Sequence, residues 1–247
     1  MKSIIKLPSG SFEVDLNQPI DISLCLGKDQ AKAWYLNQVK INPVKQGSWV
    51  GKVSEGASIN FNTIQFNPHA HGTHTESYGH ISKEFYSVSK CLKTYYYKAK
   101  LISLQPEKIK GDKIFTKEFF KEKISKNEAE ALIIRSLPNE KNKKNKNYDH
   151  SNWPYLSMEA AKYIRECGIQ HLLIDLPSVD REEGEVLAHQ AFWNYPENPR
   201  KNASITEMIY VSDEIKDGFY LLNLQVANFN NDAAPSRPVL YEIINLK

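Results

Sequence analysis

Apolar and polar positions succeed one another along this chain in patterns that predict strands first and helices later. Ile20–Leu26 (IDISLCL) reads as a short strand closed by Gly27. In Ser58–Phe66 (SINFNTIQF), Ile59 and Phe61 alternate in one phase, and Ile64 and Phe66 in the other. Successive strand side chains point to opposite faces, so a phase change inside one run predicts a bulge near Asn62–Thr63. Lys93–Leu104 (KTYYYKAKLISL) is a long, Tyr-rich strand candidate. Thr116–Ile124 predicts a short helix with Phe119, Phe120 and Ile124 facing inward.

A βαβ unit follows. Ala131–Ser136 (ALIIRS) is almost uniformly apolar, as expected of a strand covered on both faces. The stretch from Pro138 to Asn152 carries the run NEKNKKNKN, whose composition cannot build a core, and is expected to be an exposed, solvated loop. Ser157–Cys167 predicts a helix: Ser157 is a good N-cap, Glu159 sits in the first turn and Gly168 lies just past the end. Met158, Ala161, Ile164 and the stem of Arg165 fall near one face. Gln170–Leu176 is the next buried strand, and strand, crossover helix and strand in that order imply a right-handed parallel pair. Gly218–Val226 and Pro238–Ile244 read as the closing strands. With no internal repeat and no linker in sight, one α/β domain over residues 1–247 is expected.

Composition narrows the function classes. Of 247 residues, 41% are apolar and 25% charged, which excludes wholesale disorder. No apolar run approaches the roughly 20 residues of a membrane helix, and the start MKSIIKLPSG has no apolar leader core, so a cytoplasmic protein without membrane contact is expected. The net charge of +3 creates no strong field. Its 27 Lys against 5 Arg disfavour a nucleic-acid partner, because bidentate reading of phosphates and bases favours Arg. Cys25, Cys91 and Cys167 are odd in number and far apart, the pattern of reduced thiols.

Candidate chemistry concentrates in PHAHGTHTESYGH, where four of the seven histidines fall within twelve residues. Imidazoles beside a carboxylate suit a first-row metal ion. In an extended segment His74 and Glu76 share a face, and His80 can join them after a turn at Gly79. Gly72 permits a positive φ, and the Thr73 hydroxyl can hold the bend. One strand cannot complete a site. The best remaining candidates are His189, in the helical stretch EVLAHQAFW after the strand end LIDLPSVD, and Glu207 in SITEMIYV. Trp153, Tyr155 and Trp193 are candidates to line a pocket for a flat substrate, with a core role the commoner fate of such residues. Arg237 in APSRPV is a candidate for a substrate carboxylate or, more simply, for a structural ion pair.

The sequence resembles the cyclase family of metal-dependent hydrolases, which includes bacterial kynurenine formamidase and isatin hydrolase. That family's His-x-Gly-Thr-His-x-Asp-x-Pro-x-His is matched by Gly72, Thr73, His74 and His80 in register. The likeness extends to IDISLCL, to GIQHLLIDLPSVD, to His189 and Glu207, and to DAAPSRPV. Three positions depart from the pattern. The family's first His falls at Ala70, between His69 and His71, and His69 is slightly preferred as its substitute because Pro68 and the upstream bulge favour a one-residue shift. The Asp becomes Glu76 and the Pro becomes Tyr78.

The resemblance implies a mixed parallel and antiparallel α/β fold with flanking helices, of the swivelling β/β/α-like cyclase type. It implies one or two divalent ions, zinc or manganese, held by His74, Glu76, His189, Glu207 and His69 or His71, with Glu76 bridging if there are two. It implies hydrolysis of a linear or cyclic amide C–N bond in a small-molecule substrate, with His80 as general acid and base. A homodimer or homotetramer is expected, with the Tyr-rich strand as a candidate interface. The competing reading is a cyclase-fold protein that binds a small molecule or metal without turnover, motivated by Ala70.

Overall fold

The fold is described from a computed structural model covering the backbone of residues 1–246 and side chains to Ile244. Its frame is one sheet of eleven strands, numbered here in chain order. They are β1 (Lys2–Leu7), β2 (Gly10–Asp15), β3 (Ile20–Asp21), β4 (His74–Glu76), β5 (Tyr96–Leu104) and β6 (Ala131–Ser136). The remainder are β7 (His171–Ile174), β8 (Ser204–Glu207), β9 (Gly218–Asn223), β10 (Ala233–Pro235) and β11 (Val239–Leu246). The order across the sheet is β1-β2-β11-β9-β5-β6-β7-β8-β4-β10, with β3 also paired to β11. β5, β6, β7 and β8 run parallel, and every other pairing in the sheet is antiparallel.

Alternation splits the central strands between two cores. Ile102, Leu132, Ile134, Leu172, Ile174 and Ile205 pack against the helical layer. Leu101, Ala131, Ile133 and Leu173 pack on the opposite face, with Tyr220, Leu222 and Leu240. Burial on both faces is what the uniformly apolar ALIIRS requires, and its bounds match those predicted. The helical layer holds α1 (Lys117–Lys123), α2 (Met158–Glu166) and α3 (Leu187–Trp193). The Ser157 hydroxyl accepts from Ala160 N (3.1 Å), and Gly168 adopts φ +87°, so α2 starts and stops where its sequence signals lie. Met158 departs from the predicted inner face: it stands exposed in the first turn, and Ala160 joins Ala161 and Ile164 below.

Three other expectations are corrected, and a fourth, the Tyr-rich interface, is narrowed. Only Ile20–Asp21 of the first segment forms a strand, followed by a single bridge from Ser23 to Ile209. The Ser58–Phe66 run contributes only Asn62–Gln65, which pairs with Lys40–Pro43 in a projecting two-stranded arm. Ile59, Phe61 and Ile64 are exposed there, because no second layer covers the arm. The Tyr-rich strand β5 lies in mid-sheet between β9 and β6, so its edges are already hydrogen-bonded and it cannot supply an interface by edge pairing. The lysine-rich run is not fully solvated. Lys141–Lys144 forms a short 3₁₀ turn that buries Lys143, whose Nζ bonds Asp175 Oδ2 (2.8 Å) and the Ser136 carbonyl (2.6 Å). A buried acid at the end of β7 supplies the charge that composition alone could not reveal. Among the described residues no helix is long and apolar enough to cross a membrane.

Candidate metal centre

The His-rich segment enters the sheet as β4, held between β8 and β10. Gly72 turns the chain with φ +69°, and a Cβ there would press on the Leu24 carbonyl, 3.3 Å away. Thr73 pins this bend as its sequence suggests: its hydroxyl accepts from Leu24 N (2.7 Å) and donates to the Met208 carbonyl (2.5 Å). Thr75 meets the Thr206 hydroxyl at 2.7 Å, fixing β4 against β8. Register then places His74 opposite Glu207 and Glu76 opposite Ile205. After β4, Ser77 accepts from Gly79 N and donates to the Tyr86 carbonyl (2.8 Å), and a 3₁₀ turn over Tyr78–His80 brings His80 to the cavity wall.

The structure assembles six of the seven predicted site residues. His69 Nδ1 lies 3.1 Å from Glu76 Oε2, and His189 Nε2 lies 2.9 Å from Glu76 Oε1. Glu207 approaches His74 Nε2 at 3.4 Å with one oxygen and His189 Nε2 at 3.6 Å with the other. His80 Nε2 is 3.9 Å from Glu76 Oε2. His71 is the exception. Its Nε2 meets the Asn37 carbonyl (2.8 Å) and its Nδ1 accepts from Asn67 N (2.9 Å), so both ring nitrogens are committed to backbone outside the cluster. Ala70 is fully buried and its carbonyl accepts from Ala33 N (3.1 Å), leaving His69 as the flanking imidazole that turns inward.

Two carboxylates escaped the sequence reading. Asp180 ends the LPSVD turn and reaches α3. Its Oδ1 accepts from Ala188 N (2.8 Å), while Oδ2 takes His189 N (3.1 Å) and His189 Nδ1 (2.5 Å). This bond fixes the His189 ring with Nε2 turned toward Glu76 Oε1. Asp232, just before β10, bonds His69 Nε2 (2.8 Å) and His80 Nδ1 (3.3 Å) through Oδ2. Both acids stand in stretches that carry the family likeness, but neither lies near a histidine in sequence, so spacing gave no signal.

The electrostatics call for positive charge. Burial alone would raise the Glu76 carboxyl, yet His80 and His189 beside it hold it well below the usual range. Burial would lower His189, and Glu76 and Asp180 drive it well above the ordinary imidazole value. His69 is likewise pushed up to about 10, burial opposing and Asp232 and Glu76 prevailing. Four acids in one part-buried cluster are tolerated only with protons on the imidazoles or a cation among them. Two atoms decide what the cluster suits. Fully buried Glu76 Oε2 and His74 Nε2 make no hydrogen bond, and both aim into the group formed with His69, whose ligand atoms lie within 4.8 Å of one another. Unpaired buried lone pairs on nitrogen and oxygen at that spacing fit a divalent metal.

A cavity opens over the cluster, walled by His69, His80, His189 and Glu207 on one side and by Trp34, Leu36 and Val186 on the other. Arg181 stands at its rim. The expected aromatic liners are elsewhere. Trp193 is buried beneath His189 (ring centroids 5.3 Å apart), Tyr155 bonds Asp112 (2.8 Å), and Trp153 lies behind Trp34 with its Nε1 on the Asp180 carbonyl (2.9 Å). Arg237 pairs with Asp21 at 2.7 Å, far from any substrate role.

A mixed α/β sheet with a His and carboxylate cluster at its strand ends defines an open-sheet protein with a candidate metal centre. The chain belongs to the cyclase family: the family model "Putative cyclase" matches residues 14–181, about two-thirds of the sequence. No curated protein matches it. Solved structures agree in fold. A potential metal-dependent hydrolase with cyclase activity is 18% identical, with a TM-score of 0.66 over 91% of this chain and 97% of its own. An isatin hydrolase bound to the product analogue thioisatinate is 14% identical, with a TM-score of 0.68 over 92% of each chain. A predicted metal-dependent hydrolase from Bacillus stearothermophilus is 18% identical, with a TM-score of 0.63 over 91% of this chain and 98% of its own.

Proposed function

We propose that the protein is a metal-dependent hydrolase cleaving a linear or cyclic amide C–N bond in a small molecule. The observation that carries this is the pair of buried, unpaired ligand atoms on His74 and Glu76, set among His69, His189 and Glu207. Those five residues would hold one or two divalent ions, zinc or manganese. A bound ion supplies a lower water pKa at neutral pH and an electrophile for the carbonyl oxygen.

The chain's own residues do the rest. His80 is about one-third exposed and lines the cavity, so its Nε2 is placed to take a proton from the attacking water and return it to the departing nitrogen. Asp232 accepts from Nδ1 and so orients the ring with Nε2 toward the cluster. Asp180 orients His189 in the same way. Trp34, Leu36 and Val186 form an apolar wall for the substrate body. The inward turn of His69 toward Glu76 supports turnover over the competing reading, binding without turnover, which Ala70 motivated. Assembly into a homodimer or homotetramer is part of the proposal, and exposed Ile59, Phe61 and Ile64 on the arm support it.

The test is elemental analysis of protein purified without added metal, followed by a panel of formanilides and cyclic amides. One or two ions per chain and turnover of at least one amide are expected. In His80→Ala the metal content should persist while turnover falls by about 10²–10⁴-fold. Absence of metal, or unchanged turnover in that variant, overturns the reading.

A further inference from the structure

The lysine-rich run, unused by the metal centre, helps build a second cavity. Lys108, Lys113, Lys143 and Lys146 line a space of about 450 Å³ at the carboxyl ends of β5, β6 and β7. That is ligand-sized, and it lies where open α/β sheets bind their ligands. It shares no lining residue with the cavity over the metal centre.

The four lysines are not equivalent. Lys143 is committed: Asp175, the Ser136 carbonyl and hydroxyl, and Asn139 use up its protons. Among the described residues, the ammonium groups of Lys108, Lys113 and Lys146 have no hydrogen bond and no carboxylate partner. Glu140 is the one acid on the wall. Two hydroxyls there are also uncommitted. Tyr148 is 3% exposed and its phenol makes no hydrogen bond, and Ser151 Oγ is buried without a partner. A buried hydroxyl such as that of Ser151 is rarely left so. Trp153, Pro154 and Leu176 complete the wall with apolar surface.

We propose that this cavity binds a small organic phosphate, its anion held by Lys108, Lys113 and Lys146 with the two hydroxyls, and its organic body against Trp153. Three unneutralised ammonium groups match a dianion better than a single carboxylate, and lysine serves phosphates as a point charge.

The probe is phenyl phosphate, titrated calorimetrically into the metal-loaded full chain, with benzoate as the monoanionic comparator. One site per chain is expected, tighter for phenyl phosphate than for benzoate and weakening as salt rises. Lys113→Met and Lys146→Met should each weaken it about tenfold, the worth of one charged hydrogen bond. Among the described residues neither ammonium makes a hydrogen bond or ion pair, and Lys146 only rests over the Tyr148 ring (5.1 Å to its centroid), so both variants should keep wild-type circular dichroism. Tyr148→Phe should weaken binding without changing charge. Phosphates also ligate metals, so Glu76→Gln separates the sites: binding should survive it. Absence of saturable binding, equal affinity for benzoate, or loss in Glu76→Gln with retention in both lysine variants overturns the proposal. None of these results bears on amide turnover, which is measured separately.

Discussion

Two buried polar clusters sit at the ends of neighbouring strands of the sheet, and they are finished differently. At β6 and β7, Lys143, Asp175, Ser136 and Asn139 form a closed set: Asp175 takes Ser136 N through both oxygens (2.9 and 3.1 Å) and Lys143 through one. At β8 and β4, the His and Glu set leaves His74 Nε2 and Glu76 Oε2 without a hydrogen bond, held only by ion-pair contacts to Glu207 (3.4 Å) and His69 (3.1 Å). Both clusters bear the cost of leaving water. The first recovers it within the chain, which marks a structural device. The second does so only with protons on its imidazoles or a cation among them, as the proposed metal site requires.

The largest expected effect tests that distinction directly. Glu76→Gln removes the acid shared by His69, His80 and His189, so turnover should fall to background and bound metal should be lost by elemental analysis. Chelation should lower the wild-type melting temperature and leave that variant's unchanged, because a ligand of the native state stabilises it by mass action. A chelator response preserved in Glu76→Gln would break the comparison.

Next in size is Lys143→Met. It strands Asp175 and should cost about 3–5 kcal/mol in denaturant unfolding, with metal content and amide specificity unchanged. Burial already raises the Asp175 carboxyl against the pull of Lys143. A group with a raised folded pKa favours the native state at low pH. The variant's deficit should therefore build as pH climbs from the ordinary carboxyl value toward the raised one, and shrink on acidification. Replacing both partners, as in Lys143→Met with Asp175→Leu, should recover most of the loss.

The smallest effect sharpens the comparison within the metal centre. Asp180→Asn leaves every proposed ligand in place and removes the acid that orients His189. Metal affinity should fall about 10–100-fold, read by competition with a chelating dye. An unchanged affinity would mean that packing against Trp193 alone fixes the ring.

The sequence made the local features legible and left the long-range pairings hidden. Ala131–Ser136 and the Ser157 cap were readable because burial on both faces and capping are set by neighbouring residues. His74 and Glu76 were readable from the two-residue repeat of a strand. His189 and Glu207 required the family resemblance, since a helical His and a lone Glu are individually ordinary. The choice between His69 and His71 rested on which imidazole Asn37 and Asn67 would claim, and nothing local encodes that. Asp232 was invisible as a partner because a hydrogen bond spanning 163 residues leaves no periodicity, and Asp180 because nine residues of turn before His189 match neither a strand nor a helix repeat. Lys143 misled for the same reason: composition predicted water around it, and Asp175 supplied an alternative.

Trp153 is a party wall. The indole borders the lysine cavity, crosses Trp34 of the other cavity at nearly a right angle with ring centroids 5.1 Å apart, and its N–H donates to the carbonyl of the residue that steers His189. An occupant on either side leans on the same rigid ring. Thermodynamic reciprocity then fixes the form of any cross-talk: whatever factor one guest imposes on its neighbour's affinity, the neighbour returns in full.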